Sequence, residues 1–397
     1  MKILIVSQHY WPENFRITDI AESLVLKGHD VTVLCGLPNY PQGYIFDDYK
    51  HGKNRRQVHN GVNIIRVKEI GRRSGIIFRL LNYWSYPHYA SKMIKKLDND
   101  FDVVLINGTS PIMSSKPAFK YGKKYNKPVV MYEMDLWPES LLAGDISENS
   151  LIYKHYKKVS AKLYSQCDKI LVSTKEHIER IKSLEGCSEL SVEYLPQYAE
   201  SLFEDNDFTA ADNGVIDIVF AGNIGKAQSI RTIIRSASIL ESLPKYKFHI
   251  VGDGSELENA KQYTKDLKLN NVVFYDSKPL EDMPYYYSLA DIMIVSLENK
   301  PYANITIPGK VQSYMAAGKP IIGVVNGSCK DFIINNGIGY TCDAEDYYGL
   351  TNIIVNLNID ETRKIGNHAR KVYKEKYCKD IFMESLINYL EGMCSKK

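Results

Sequence analysis

The strongest constraint on this chain is a repeated alternation. Short, continuously apolar runs of strand length are separated by helix-length stretches whose apolar residues recur every three to four positions. Residues 2–7, 31–35, 62–67, 101–106, 128–133 and 168–173 form a first series of strand-like runs. Residues 216–221, 247–252, 271–275, 291–296, 320–324 and 338–342 form a second. Runs apolar on both faces are the kind that a parallel sheet buries between two layers of helices. Between the first two runs, Ile17, Ile20, Ala21, Leu24 and Val25 keep helical spacing and Gly28 supplies a left-handed stop. Residues 2–35 therefore read as one βαβ unit.

A chain of 397 residues is too long for one ordinary core. The expected fold is α/β, with two Rossmann-like, doubly wound parallel-sheet domains facing a cleft. The acidic, polar stretch 196–214 is the expected linker. It divides an N-terminal domain, 1–205, from a C-terminal domain, 206–376, and a last helix at 377–397 is expected to pack back on the first domain.

Charge is strongly segregated. Between Lys50 and Lys96 there are twelve basic residues against the single acid Glu69. That block carries +11, so the remainder carries −8 in a chain of net charge +3. Such a block seeks an anionic partner, whether phospholipid, lipid-linked diphosphate or nucleic acid. Within it, Arg72, Arg73 and Arg79 alternate with bulky apolar residues, Ile76, Ile77, Leu80 and Trp84. Exposed, that pattern suits a membrane interface; with its apolar side turned inward, 76–90 is an ordinary core helix. No apolar run approaches the roughly 18 residues of a spanning helix. The seven cysteines are scattered without a C-x-x-C pair, as expected of buried thiols in a cytoplasmic protein.

In doubly wound folds ligands gather beyond the carboxyl ends of the strands. Gly222-Asn223-Ile224-Gly225-Lys226 follows the run 216–221 and precedes a helix expected near Ser229. Glycines admit a ligand close to the backbone, and a helix start with a lysine suits a diphosphate. Thr306-Ile307-Pro308-Gly309-Lys310 opens a second short helix, with Lys310 in its first turn. Val251-Gly252-Asp253-Gly254 is a weaker signal for a ribose or base. Glu133-Met134-Asp135-Leu136-Trp137-Pro138-Glu139 ends the run 128–133 and places carboxylates at a strand end, where they suit acid–base work on a sugar hydroxyl. His9, beyond the first run, is a further candidate. No His/Cys cluster is present, so no metal is expected.

The order Gly-Asn-x-Gly, Val-Gly-Asp-Gly, Ala-Asp-Ile and Pro-Gly-Lys…Tyr-Met-Ala-Ala-Gly-Lys-Pro resembles the C-terminal half of family-4 GT-B glycosyltransferases. Tyr10-Trp11-Pro12-Glu13-Asn14, Gly36-Leu37-Pro38-Asn39-Tyr40-Pro41 and Asp135-Leu136-Trp137-Pro138-Glu139-Ser140 resemble a bacterial subgroup that uses UDP-N-acetyl-L-fucosamine or related amino sugars in capsule and O-antigen assembly. The resemblance implies donor contacts at Gly222, Asn223, Gly225, Lys226, Gly252, Asp253, Phe274, Tyr275, Thr306, Pro308, Gly309, Lys310 and Ser313. It implies catalytic roles for Asp135, Lys226 and Lys310, and an acceptor side at His9, Glu13, Asn14, Asn39, Tyr40 and Glu139. Two glutamates usual in the family, eight residues apart, are replaced by Ile305 and Ser313. Thr306, Ser313 and Glu298 are the candidates to hold the hydroxyls instead.

The expected function is transfer of an N-acetylated amino sugar, with retention, from a UDP-sugar to a lipid-linked or saccharide acceptor in surface polysaccharide synthesis. The UDP-sugar is a co-substrate, with no cofactor and no metal. The expected partners are the donor, the lipid-linked acceptor and the anionic inner face of the cell membrane, to which the cytoplasmic protein attaches through Arg72, Arg73 and Arg79. Nucleic acid is not among them. A nucleotide-sugar epimerase of the same architecture and a non-catalytic partner subunit are the alternative readings.

Overall fold

The computed structural model describes residues 1–73, 75–206, 208–210 and 213–395, and the side chains of Ile76 and Arg79 also lie outside that description. The chain divides into two units, Met1–Leu195 with Met383–Lys397, and Pro196–Phe382. The first division falls ten residues before the expected 205, and the second six residues after the expected 376.

The first unit is built on β1 (Lys2–Val6), β2 (Asp30–Cys35), β3 (Arg56–His59), β4 (Val62–Arg66), β5 (Val103–Gly108), β6 (Val129–Glu133), β7 (Lys169–Val172) and β8 (Val192–Tyr194). They form one sheet in the order β3-β4-β2-β1-β5-β6-β7-β8. All neighbours are parallel except the β3–β4 hairpin. Ile3, Leu4, Ile5 and Val6 are buried on both faces, as a central parallel strand requires. The two strands that pattern reading did not anticipate, β3 and β8, both lie at sheet edges. Each is short, and β3 is polar on both sides (Arg-Gln-Val-His), so neither shows the continuous apolar run that marks the others.

The second unit contains β9 (Ile216–Ala221), β10 (Tyr246–Val251), β11 (Val272–Phe274), β12 (Ile292–Ser296), β13 (Ile321–Val324) and β14 (Gly339–Cys342). Their order is β11-β10-β9-β12-β13-β14, all parallel. Alternate residues of one strand enter different cores. Val219, Ala221, Met293 and Val295 join one apolar cluster, while Ile218, Phe220, Ile292 and Ile294 join the other. A sheet covered on both faces follows directly from that alternation.

The expected linker is in fact part of the second unit. Ala199, Phe203 and Phe208 are buried in its core, Phe203 stacks on Tyr287 at 4.4 Å, and Leu202–Asp205 forms a helical turn. Its acidic residues gave it the look of a tether, but every few positions an apolar side chain anchors it. Asp207 and Asp212, counted in that stretch, lie outside the described residues.

Candidate functional site

In each sheet one strand sends its connection one way while its neighbour sends its own the other, leaving a gap at the carboxyl ends. The gap lies between β1 and β5 in the first unit and between β9 and β12 in the second.

In the second unit, Gly222 leaves β9 with φ +125° and Gly252 leaves β10 with φ +143°. The two loops lie backbone against backbone. Gly222 N–H donates to the Val251 carbonyl at 2.9 Å and Ile224 N–H to the Asp253 carbonyl at 2.8 Å. A Cβ at position 252 would stand 1.9 Å from the Gly222 oxygen, so only glycine permits this approach. Gln228 Oε1 accepts from Gly225 N–H at 3.1 Å and closes the loop on itself.

Above Gly222 stands Lys310. Its Nζ is 3.2 Å from where a Cβ on Gly222 would be, and 3.8 Å from the centre of the Phe220 ring. Lys310 as a whole is half-buried, but its ammonium is enclosed and has no hydrogen-bond partner among the described residues. Burial lowers its pKa from 10.5 to about 7. An unpaired cation in such a place is costly, and an arriving phosphate would relieve that cost.

Lys226 is exposed in a short 3-10 turn, Lys226–Gln228. The helix expected near Ser229 begins at Ile230, after Ser229 has taken a left-handed conformation (φ 42°). The loop carbonyls of Gly225 and Lys226 accept the Gln228 and Ser229 N–H groups. The helix thus starts within one residue of the expected position, and a 3-10 turn fills the loop before it. The helix Lys310–Ala316 has only seven residues and is tied to the same loop, because Tyr314 hydroxyl and the Ala221 backbone bond to one another at 3.0 and 3.1 Å.

Other expected donor residues scatter. Asp253 is exposed and accepts from Gly254 N–H. Phe274 and Tyr275 are not brought together: Phe274 packs with one apolar cluster and Tyr275 with the other, since successive residues point to opposite sides of a sheet. The Tyr275 hydroxyl is committed to His249 Nδ1 at 2.9 Å, and His249 Nε2 to Asp217 at 2.7 Å. Thr306 hydroxyl turns back to the Tyr302 carbonyl, and Glu298 accepts from the Tyr302 hydroxyl. Pro308 and Gly309 form the turn before Lys310, whose Val311 N–H closes on the Pro308 carbonyl. Ser313 donates to Glu200 Oε2 at 3.1 Å. A carboxylate thus reaches the Ser313 position from a segment 113 residues earlier, for which sequence spacing offers no signal.

In the first unit the loops after β1 and β2 are bound by Glu13. One of its oxygens meets His9 Nδ1 at 2.9 Å, and the other accepts from Asn39 N–H and Tyr40 N–H at 2.7 Å each. Burial disfavours the His9 cation, but the Glu13 bond and charge outweigh it and raise its pKa. Asn39 is fully buried and accepts from Arg72 N–H at 3.1 Å. Glu13 and Asn39 thus tie these loops together, whereas Tyr40 and Asn14 are exposed.

At the end of β6, Asp135 is exposed and accepts from Ser110 N–H at 3.0 Å, while its own N–H bonds the Gly108 carbonyl at the end of β5. Glu139 is half-buried at the start of a 3-10 turn. Glu133, expected among the strand-end carboxylates, instead turns into the core. Burial first, then the Asp135 charge, holds its pKa well above the usual range.

Glu69, which sequence reasoning counted only as a charge, joins β4 to β1 and to helix Ile76–Ile94. Its Oε1 accepts from Gln8 and Asn82, both at 2.7 Å, and burial raises its pKa to about 7. The only hint was its standing as the one acid among twelve bases.

Among the described residues no group of three or more His, Cys, Asp or Glu is placed to hold a metal ion. Asp98, Asp100 and Asp102 do stand at Asp-x-Asp spacing, but they precede β5 at the opposite end of the sheet, where Lys2 pairs with Asp100.

The family profile for Glycosyltransferase Family 4 matches residues 15–196, and that for Glycosyl transferases group 1 matches residues 203–372. Similar proteins include WbjE of Pseudomonas aeruginosa, assigned as a glycosyltransferase, at 23% identity over 74% of this chain and 75% of that one. WcaI of Escherichia coli (strain K12), assigned as a colanic acid biosynthesis glycosyl transferase, is 23% identical over 80% of this chain and 82% of its own. The fold matches sucrose-phosphate synthase from Thermosynechococcus elongatus with TM-score 0.77 at 13% identity, covering 100% of both chains. It matches Anabaena Alr3699/HepE in complex with UDP and glucose with TM-score 0.70 at 14% identity, covering 98% of this chain and 99% of that one. One unit carries a family 4 domain and the other a group 1 domain, so the chain belongs to the glycosyltransferases of GT-B fold.

Proposed function

We propose that this glycosyltransferase moves an N-acetylated amino sugar from a UDP-sugar to a lipid-linked or saccharide acceptor in bacterial surface polysaccharide synthesis, with retention and without a metal. The observation that carries the donor half is the enclosed, unpartnered ammonium of Lys310 beside Gly222. As the bond from the sugar carbon to the diphosphate oxygen breaks, the ring gains positive charge and the leaving diphosphate negative charge. Lys310, with Lys226 of the loop that carries Gly222, offsets the latter. Asp135, exposed at the end of β6, is the group assigned to the acceptor hydroxyl or the developing ring charge. The polysaccharide context rests on the relatives: WcaI is assigned to colanic acid biosynthesis, and TuaH of Bacillus subtilis to teichuronic acid biosynthesis. Cytoplasmic placement at the inner membrane face is part of the same reading, and no helix among the described residues is long and apolar enough to cross a membrane.

The test is a thermal-shift screen of UDP-sugars, with and without a chelator, followed by product analysis on lipid-linked saccharide acceptors. Stabilisation by UDP-N-acetylamino sugars and a product of retained configuration are expected. Stabilisation by no UDP-sugar, or strict dependence on added divalent metal, would overturn the reading.

A further inference from the structure

The first unit has a second concave feature that sugar-transfer chemistry leaves unused. A groove of about 880 Å³ lies between the end of β4 and the second half of helix Ile76–Ile94. That volume is in the range of small-molecule sites. Arg55, Lys68, Lys92 and Lys96 line it alongside Tyr89 and Met93. Tyr89, Lys92 and Met93 recur at three- and four-residue spacing, so they share one side of the helix, and Lys96 follows just past its end.

No ion pair joins any of the four cations to an acid among the described residues. Arg55 Nη1 is buried without a hydrogen-bond partner. The other charges in the wall are committed in part, with Arg66 Nε and Glu69 Oε2 buried without a hydrogen-bond partner. Arg66 donates to the Trp11 and Asn54 carbonyls and to Gln57, and Glu69 Oε1 accepts from Gln8 and Asn82. Cations without an ion pair along one groove are complementary to an anion, and Met93 with Tyr89, over whose ring the Lys92 ammonium lies at 5.8 Å, to an apolar chain.

We infer that this groove binds a phosphate or diphosphate ester carried on an apolar chain, with the anion on Arg55, Lys68, Lys92 and Lys96 and the chain along Tyr89 and Met93. The inference deepens the acceptor reading above by giving a lipid-linked acceptor a place for its phosphate. A membrane phospholipid has the same chemistry, and the experiment separates the two sources.

Calorimetry with geranyl diphosphate and with inorganic pyrophosphate is run beside co-sedimentation with phosphatidylcholine vesicles containing phosphatidylglycerol. The proteins are the full chain, the exposed pair K92A/K96A and, as a second variant, K68E. Geranyl diphosphate is expected to bind more tightly than pyrophosphate, and both variants to weaken it about ten-fold or more. Loss confined to the vesicle arm would assign the groove to phospholipid. Binding of both amphiphiles unchanged in both variants, no binding of either, or equal affinity for pyrophosphate would overturn the inference. These readouts are binding and not turnover. Their failure leaves the transfer reading standing, while absent transfer with intact groove binding counts against that reading alone.

Discussion

Lys310 concentrates the physics of the candidate donor site in one side chain. Its pKa in the folded protein, about 7, lies below its ordinary 10.5, so between those values the unfolded chain holds the proton more tightly. This lysine therefore works against folding below about pH 7, and that contribution fades as pH rises through the window. A bound diphosphate reverses the shift by pairing the ammonium. UDP binding at about pH 8 should take up protons, seen as a binding enthalpy that varies with the buffer's ionisation enthalpy, and affinity should fall as pH rises above about 7. Lys310→Ala should abolish the uptake and weaken UDP about ten-fold or more; calorimetry showing neither would remove Lys310 from the site. Asp135→Asn should lower turnover about 10²-fold while UDP affinity stays within a factor of a few, measured by steady-state kinetics and calorimetry. Near-normal turnover would end its catalytic assignment. Glu69 shows the opposite sign for an acid. Its raised pKa means the folded state favours the protonated form, so its cost grows as pH rises from about 4.5 to about 7. Glu69→Gln should therefore raise the melting temperature relative to wild type above about pH 7, with the gap closing toward about pH 4.5.

At the scale of elements, two features decide the site: the close approach of the β9 and β10 loops, and the inverted face of helix Ile76–Ile94. The first depends on an absent side chain. Gly252→Ala would force a methyl to 1.9 Å from the Gly222 oxygen at a backbone angle that alanine rarely adopts. A loss of about 2 kcal/mol or more is expected in chemical denaturation, with weaker UDP binding because the loops must part. Equal stability and affinity would mean that the loops move apart freely. The second feature splits the helix between the two alternatives, since Tyr86, Ala90 and Ile94 of its second half are buried. A core helix would hide its apolar residues, yet Ile77 is 68% exposed, Leu80 45%, Leu81 44% and Trp84 46%. Asn82 points inward instead, because its amide serves Glu69 and the Ile70 carbonyl. The first half of the helix is thus apolar on its outer side.

Over the whole molecule, the basic block turns out to be several things. Arg66 is buried, lies over the Tyr49 ring at 4.7 Å and serves the core. Arg72 lies over Tyr83 at 5.6 Å, and Arg73 over Tyr44 at 5.1 Å and Phe78 at 5.5 Å, beside the exposed apolar face. The third arginine of the expected membrane contact, Arg79, has its side chain outside the description. Cations interleaved with exposed aromatic and aliphatic groups are suited to an anionic interface, each contributing about 1 kcal/mol near such a surface. We propose peripheral, salt-sensitive attachment to anionic membranes through this patch. Co-sedimentation with anionic vesicles should fall with added salt and fall further in the double variant Arg72→Glu, Arg73→Glu; binding indifferent to both would exclude it.

The sequence by itself marked all of the second sheet and all of the first but its two edge strands, β3 and β8. All twelve anticipated strands are present, because parallel strands covered on both faces are mostly apolar along their length, a pattern readable without partners. It also marked the loops of Gly222, Gly252, Lys310 and Asp135, since strand ends and glycines are local features. Only tertiary structure decided what each polar group spends itself on. Glu13 and Asn39 are consumed in joining loops, Glu133 is turned into the core, and Phe274 parts from Tyr275 across a sheet. Glu69 meets Gln8 from 61 positions away, and Ser313 meets Glu200 from 113. Hydrogen bonds and burial depend on neighbours that folding brings from afar. A side chain's chemistry is legible in sequence, but its availability is set by those neighbours.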